Sequence, residues 1–441
     1  MNVLKFGGTS VNSAERMRHV ARLLPENETV VVVLSATGGT TNKLVQIVDC
    51  LSTGKRHQAF LLIDTLYSDA LIFSRELLRL PSSRDKVNHF LSLMHIELIS
   101  YAKRQTVPAD KDVILSKGEL ISTLLFSLYL EEQGKNVKLL PALEFMFQDE
   151  NGEPDTARIS EQIRKYIDRN AAKTIYVTQG YICSTHDGKT GNLGRGGSDY
   201  SATIIGAAVQ AEEIQIWTDI DGMHNNDPRI INDTQPVPVL SYQEAAELAY
   251  FGAKILHPKT VHPAMQSDIP IRLKNTLNPD AEGTIITTKS NGSGVKAIAA
   301  KDGITMIRIY SSRMLMAYGF LKAIFEVFEH HKTPIDMITT SEVAVSVTID
   351  NTVQLSSIIE TLKGLGTVEV IADQVIVCVA GSFPENAKGY AGAVINALNS
   401  VSLKMVSIGG SEHNISLLVD AKDKKEVLTL LHEELFQPVK C

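Results

Sequence analysis

Cysteine, tryptophan and net basic charge are all scarce in this chain. Its four cysteines, Cys50, Cys183, Cys378 and Cys441, are scattered over 441 residues without a CxxC pair. That argues against a disulfide framework or a zinc knuckle and leads us to expect a reducing, cytoplasmic setting. Lys and Arg total 43 against 50 Asp and Glu, a formal charge of -7. No basic stripe suited to a nucleic-acid backbone is visible, so nucleic acid is not expected as a partner. The longest strongly apolar run, Val30-Val31-Val32-Val33-Leu34, is far shorter than the ~20 residues needed to cross a bilayer. Met1-Asn2-Val3-Leu4-Lys5 does not read as a secretory leader, and no membrane association is expected. What is present is a hydrophobic fraction of 44% with 21% charged residues, which excludes disorder of the whole chain. At roughly 100–200 residues per domain, the length implies two to four domains.

The first two-thirds alternate strand-like and helix-like segments. Val3 to Phe6 reads as a strand, Gly7 to Ser10 as a turn, and Asn12 to Glu15 as a capping box before a helix that Pro25 stops. Thr29 to Leu34 is wholly apolar apart from its first residue, the pattern of a strand buried on both faces of a parallel sheet. Further strands are expected at Val113–Leu115, Lys138–Leu140, Thr174–Thr178 and Ile214–Thr218. This order specifies an α/β domain with helices on both faces of a mainly parallel sheet, whose ligands belong at the carboxyl ends of the strands.

Ser290 to Gly294 is small and polar and reads as a linker. Beyond it the order of elements changes and then recurs. The Ser-Glu-x-x-x-Ser of Ser341 to Ser346 returns as Ser411 to Ser416, an offset of 70 residues. Each copy follows a βαββαβ, ferredoxin-like order. We therefore expect a domain over 1–290 and a paired module over 295–441, split at about 304–372 and 373–441. The second copy lacks its last strand, which 295–299 could supply.

Several loops carry chemistry. In Lys5-Phe6-Gly7-Gly8-Thr9-Ser10 a lysine ends a strand and two glycines open a turn before a helix. Backbone amides, a helix N-terminus and a full positive charge then converge as they would on a phosphate. Gly188-Lys189-Thr190 mimics the end of a P-loop, but the position of its first glycine is taken by Cys183. Gly194-Arg195-Gly196-Gly197-Ser198-Asp199 precedes an apolar helix. Ser198 is the expected N-cap there, Arg195 suits a carboxylate, and Asp199 suits an amine, a lysine or a metal. Trp217-Thr218-Asp219 leaves a strand into a turn-rich stretch, and Ser241 to Glu244 is a capping box for a helix reaching about Ile255. By position alone Glu119, in a first helical turn, and Lys254, at a helix end, complement helix dipoles.

Together, Lys5 to Val11, Gly194 to Tyr200, Trp217 to Asp219, Phe251 to Pro258 and the C-terminal repeat resemble the aspartokinases of the amino-acid kinase superfamily. The resemblance implies a three-layer αβα catalytic domain followed by two ACT modules. It also implies ATP-dependent phosphorylation of the L-aspartate side chain. Lys5, Gly7 and Gly8 resemble the γ-phosphate cradle, and Thr218, Asp219, His224, Arg229, Lys254 and Ile255 the nucleotide contacts. Many relatives carry tyrosine where this chain has His224. Ser35, Thr41, Glu119, Arg195, Gly197 and Ser198 resemble the aspartate pocket, with Arg195 on the α-carboxylate and Glu119 on the α-ammonium. Asp199 resembles the residue that orders the catalytic lysines, Lys5 and Lys254. Mg²⁺ is expected to travel on the ATP phosphates, with no protein cage.

Met314, Ala317, Gly319, Phe320, Leu321, Ile335, Asp336, Thr340, Ser341 and Glu342 resemble the effector site of the lysine-sensitive class. Asp336 and Glu342 are both candidates for its two ammonium groups, Ala317 replaces a serine of some relatives, and threonine is the second candidate effector. A homodimer through the ACT sheets, or a tetramer, is implied. The alternatives are a kinase for glutamate or N-acetylglutamate, and an amino-acid sensor without activity.

Overall fold

The computed structural model describes residues 1–104, 111–168, 173–252, 256–288, 292–314, 318–384 and 388–436. The chain forms two compact units, Met1–Met223 with Ile255–Ser290, and His224–Lys254 with Asn291–Cys441.

The first unit is built on strands in the spatial order Asn136–Leu140, Thr174–Gln179, Val30–Leu34, Asn2–Phe6, Ile214–Thr218, Ile271–Asn275 and Thr284–Thr287. Neighbours pair in parallel as far as Ile271–Asn275, and the last pair is antiparallel. Val30–Leu34 and Thr174–Gln179 are buried along their whole length, because helices cover both faces. On one face Leu4, Phe6, Val30, Val32 and Leu34 enter a core with residues of helices Ala14–Leu23, Thr40–Ser52, Arg56–Leu77, Pro81–Arg104 and Lys117–Glu132. Helix Gly197–Val209 packs against Asn2–Phe6 and Val30–Leu34.

Three local readings are corrected. Val113–Leu115 lies in helix Lys111–Leu115, since a short apolar run carries no period of its own. Ser13 replaces Asn12 as the N-cap of Ala14–Leu23, its side chain accepting from Arg16 N. Gly196, with φ 71°, caps Gly197–Val209, which moves Ser198 into the first turn. The stretch Lys111–Glu132 is long and apolar enough to cross a membrane, a possibility that the run at Val30 did not raise. It is mostly buried, as a core helix would be.

In the second unit six strands form an antiparallel sheet in the order Ile338–Thr340, Ala344–Ile349, Gly294–Tyr310, Thr367–Ser382, Asn414–Asp420 and Met405–Ile408. Strand Gly294–Tyr310 is 17 residues long and takes in the segment 295–299 expected to complete the second module, and Thr367–Ser382 is 16 residues long. Each long strand serves both modules. The half 304–310 lies between Ala344–Ile349 and the half 367–374, whereas 294–301 pairs with 376–382. Gly303 and Asp373, at φ 76° and 54°, mark the passage from one module to the other. Helices Phe320–His330 and Leu355–Leu362 close the first core, and Tyr390–Ala397 and Lys424–Phe436 the second.

This unit also contains helix Tyr242–Tyr250. It opens on a complete Ser241–Glu244 capping box, so its described end falls short of the expected Ile255. Gly252 follows at φ 113°, and a Cβ there would lie 2.2 Å from Ala300 O. Only glycine fits so close to the strand carrying Ala300.

Candidate active site

The register of the parallel strands sets Phe6 beside Leu34 and Trp217, and Leu34 beside Gln179. The loops that begin at Gly7, Ser35, Gly180 and Asp219 therefore leave from one edge of the sheet. Backbone bonds pin them there: Gly7 N donates to Trp217 O (3.3 Å), Ser35 N to Phe6 O (3.2 Å) and Gly180 N to Leu34 O (2.9 Å). A Cβ on Gly8 would sit 2.8 Å from Ala36 O, so its lack of a side chain permits the approach of the first two loops.

Lys5 is 7% exposed. Its Nζ lies 2.5 Å from Asp199 Oδ1, in the first turn of Gly197–Val209. The two meet as an ion pair. Gly7 also abuts the amine, which a Cβ on Gly7 would approach to 3.5 Å. Lys5, Gly7, Gly8, Gly197 and Asp199 are thus brought together.

Glu119 lies inside helix Lys117–Glu132 and is buried. Its Oε1 accepts from Ala36 N at 3.1 Å, while Oε2 is buried without a partner. Burial pushes its pKa up to about 7, against the pull of the Ala36 amide. Ser122 Oγ donates to Ser35 O at 2.8 Å, tying the same helix to the loop after Leu34. Ser198 packs on Gly180, where a Cβ would meet its Cβ at 2.6 Å. Arg195 is exposed between Gly194 and Gly196, both at positive φ. It is close enough to His257 to help depress that imidazole's pKa, after burial and Lys259. Thr41 is exposed in the first turn of Thr40–Ser52, behind the left-handed Gly39. Thr218 is half-buried with Oγ1 accepting from Ile220 N at 3.2 Å, and Asp219 is exposed.

His224 and Arg229 are part of the second unit. There His224 Nδ1 pairs with Thr234 Oγ1 at 2.9 Å, and Arg229 holds Asp227 through two bonds of 2.9 and 2.7 Å. Lys254, Ile255 and Ala317 lie outside the described residues. Sequence reading missed Tyr181, which follows the strand Thr174–Gln179. Its backbone is left-handed at φ 68°, its N–H donates to Ser201 Oγ at 3.0 Å, and it sits where a Cβ on Gly197 would clash. The signal was the pair Gly180-Tyr181 at a strand exit.

The expected effector residues differ in exposure. Met314, Phe320 and Ile335 are half-buried, and Leu321, Thr340, Ser341 and Glu342 are exposed. Gly319 caps Phe320–His330 at φ 82°. Asp336 differs from Glu342 in having a side chain only 1% exposed. Its Oδ1 accepts from Lys301 Nζ and from Tyr250 OH, each at 2.7 Å. Neither partner was singled out in the sequence.

Chemically, the edge at Lys5 joins a cation, close-packed glycine turns and helix N-termini, which suits a polyphosphate. Burial, with the Asp112 charge near it, pushes the Cys183 thiol up to about 12.

Residues 1–275 match the amino acid kinase family and residues 377–435 the ACT domain. The chain is 34% identical to lysine-sensitive aspartokinase 3 of Escherichia coli (strain K12), over 99% of both proteins. It is 35% identical to the chloroplastic aspartokinase 2 of Arabidopsis thaliana, over 99% of this chain and 84% of that one. It superposes on E. coli aspartokinase III in complex with aspartate and ADP (R-state) with a TM-score of 0.87 at 34% identity, covering 99% of this chain and 100% of that one. For the lysine and aspartate complex (T-state) the TM-score is 0.80 at 33% identity, with the same coverage.

Proposed function

The chain belongs to the aspartokinase family of amino acid kinases, and we propose that the edge around Lys5 carries out the phosphoryl transfer from ATP to L-aspartate. The reaction makes 4-phospho-L-aspartate under allosteric control. The observation that carries the assignment of the site is Lys5. A buried amine, held by Asp199 in a helix's first turn, faces a Gly7-Gly8 turn at the carboxyl edge of the sheet.

Phosphoryl transfer needs positioning and charge neutralisation more than covalent help. The acceptor is a carboxylate, ionised at neutral pH, so no general base is needed. Lys5 and the Gly7-Gly8 turn steady the γ-phosphoryl group as charge moves onto its oxygens. Asp199 fixes the direction of the Lys5 amine. Mg²⁺ arrives with ATP as part of that substrate. Thr218, Asp219 and Ile255 are assigned to the nucleotide.

Arg195 takes the α-carboxylate of aspartate in a bidentate grip. The unpaired Oε2 of Glu119 takes its α-ammonium, whose charge would draw the carboxyl group back to its ionised form. Ser35, Thr41, Gly197 and Ser198 line the same pocket.

L-lysine is the proposed feedback effector, bound in the first ACT module at Met314, Ala317, Gly319, Phe320, Leu321, Ile335, Asp336, Thr340, Ser341 and Glu342. It inhibits by binding the less active state more tightly. The unit is assigned as a cytoplasmic homodimer joined through ACT sheets.

A hydroxamate assay with Mg-ATP and an amino-acid panel tests the reading. Aspartyl hydroxamate is the expected product. Turnover of glutamate or N-acetylglutamate but not aspartate would overturn the substrate, and no turnover of any acceptor would favour the sensor.

A further inference from the structure

Asp336 belongs to a small charged box within the second unit. Lys301 Nζ lies 2.7 Å from Asp336 Oδ1, 2.9 Å from Asp350 Oδ2 and 4.4 Å from the centre of the Tyr250 ring. The Tyr250 hydroxyl donates to the same Asp336 oxygen. Two carboxylates and an aromatic face around an ammonium are the elements of a site for primary amines. The box is not balanced. One lysine faces two aspartates, which leaves one negative charge uncompensated, and Asp336 Oδ2 is buried with no partner. Asp336 is almost sealed, whereas the Lys301 and Asp350 side chains are 17% and 38% exposed. The route to the carboxylate therefore runs past the Lys301 amine.

We infer that Lys301 is a built-in competitor for the effector: its own ammonium partly fills the Asp336–Asp350–Tyr250 cation site and so raises the concentration at which an amino acid with a side-chain ammonium can bind. This rests on the assignment of Asp336 to the lysine site and goes beyond it by naming what opposes the ligand. The box also reaches further into its unit. Tyr250 ends the capped helix Tyr242–Tyr250, and Glu247 of that helix accepts from Asn414 Nδ2 of the second module at 2.7 Å. The strand bearing Lys301 touches the same segment at Gly252 and Ala300. Filling the box with a foreign ammonium changes the partners of Tyr250 and so bears on a helix gripped by both modules.

Calorimetric titration of the full-length protein with L-lysine tests this. Lys301→Met removes the competing cation and is expected to tighten binding about tenfold, the scale of one charge-assisted hydrogen bond. Tyr250→Phe frees a lone pair on Asp336 and is expected to tighten it several-fold, while Asp336→Asn weakens it. A purely structural role for Lys301 or Tyr250 predicts weaker binding or none, so a gain in affinity is diagnostic. Tyr250→Phe removes a single oxygen and keeps the test open should Lys301→Met fold poorly. Unchanged or weaker lysine binding in both variants, with the wild type binding normally, would overturn the competitor and leave the effector assignment standing. Absence of lysine binding in the wild type and in every variant would overturn the effector assignment and the competitor with it.

Discussion

Lys5 and Lys301 are both sunk into the protein and both meet an aspartate, at 2.5 and 2.7 Å, yet their surroundings carry opposite signs. Lys5 faces one carboxylate, so the ion pair is neutral. What is added to it is positive: a helix N-terminus and the amides of a glycine turn. Lys301 faces two carboxylates and the face of a tyrosine ring, so its box remains negative. On the proposed assignments, the same Lys–Asp pair serves an anion site in one unit and a cation site in the other. A buried ion pair gives little net stability by itself, because desolvation offsets the attraction. What surrounds the pair decides which ligand it draws.

The comparison breaks most visibly at Lys5. Lys5→Ala removes the cation of this pair and leaves Asp199 as a bare charge facing incoming phosphate. We expect kcat for aspartate phosphorylation to fall by roughly 10²–10³, the scale of losing one preorganised charge stabiliser. Unchanged circular dichroism would show that the fold is retained. Near-normal turnover would remove Lys5 from the mechanism and the anion site from the comparison.

A smaller effect is expected at Glu119, the residue proposed for the α-ammonium of aspartate. Burial raises Glu119 from 4.5 to about 7, while the Ala36 amide opposes the shift. Between those values the unfolded chain has released the proton and the folded chain has kept it. Unfolding therefore releases a proton, and stability falls as pH rises through this window. The full loss is about 3 kcal/mol at 1.36 kcal/mol per pKa unit. Glu119→Gln should lack this slope and melt closer to the wild type at pH 5 than at pH 8, where the variant gains. With substrate the sign reverses in usefulness: KM for aspartate should fall as pH rises through 7 in the wild type and stay high and flat in Glu119→Gln. Parallel melting curves against pH would show that Glu119 is ionised throughout.

The reach of the sequence varied for physical reasons. The strand Val30–Leu34 was legible because its apolar run is buried on both faces, whereas the turn expected at Gly7 to Ser10 closes into a short 3-10 helix, Gly8–Val11. Val113–Leu115 was misread because three apolar residues fit a strand or a helix equally well. The continuity of the two long strands was not legible because Gly303 and Asp373 interrupt their pattern at positive φ while pairing resumes beyond them. Glu119 looked like an acid complementing a dipole. Its burial is set by the loop at Ala36, 83 residues away in sequence. Lys301 and Tyr250 had no sequence signal at all, since they stand 35 and 86 residues from Asp336 and meet it only through the fold.

The least expected change sharpens the cation side of the comparison. Ser241 Oγ accepts from Glu244 N at 3.1 Å, and Glu244 Oε2 accepts from Ser241 N at 2.6 Å. This reciprocal cap starts the nine-residue helix that ends at Tyr250. A helix so short gains little from propensity and depends on its ends and its packing. Ser241→Ala removes one of the two bonds and should cost about 1 kcal/mol. The loss should be local. Amide hydrogens of Tyr242–Tyr250 should exchange about fivefold faster, with those of Asn2–Phe6 unchanged, as follows from opening one element without the other. Because that helix delivers the Tyr250 hydroxyl to Asp336, loosening it should also tighten lysine binding slightly, in the direction of Tyr250→Phe. Faster exchange without any gain in affinity would mean that Tyr250 stays on Asp336 through side-chain packing alone, and that the helix is not what holds the box closed.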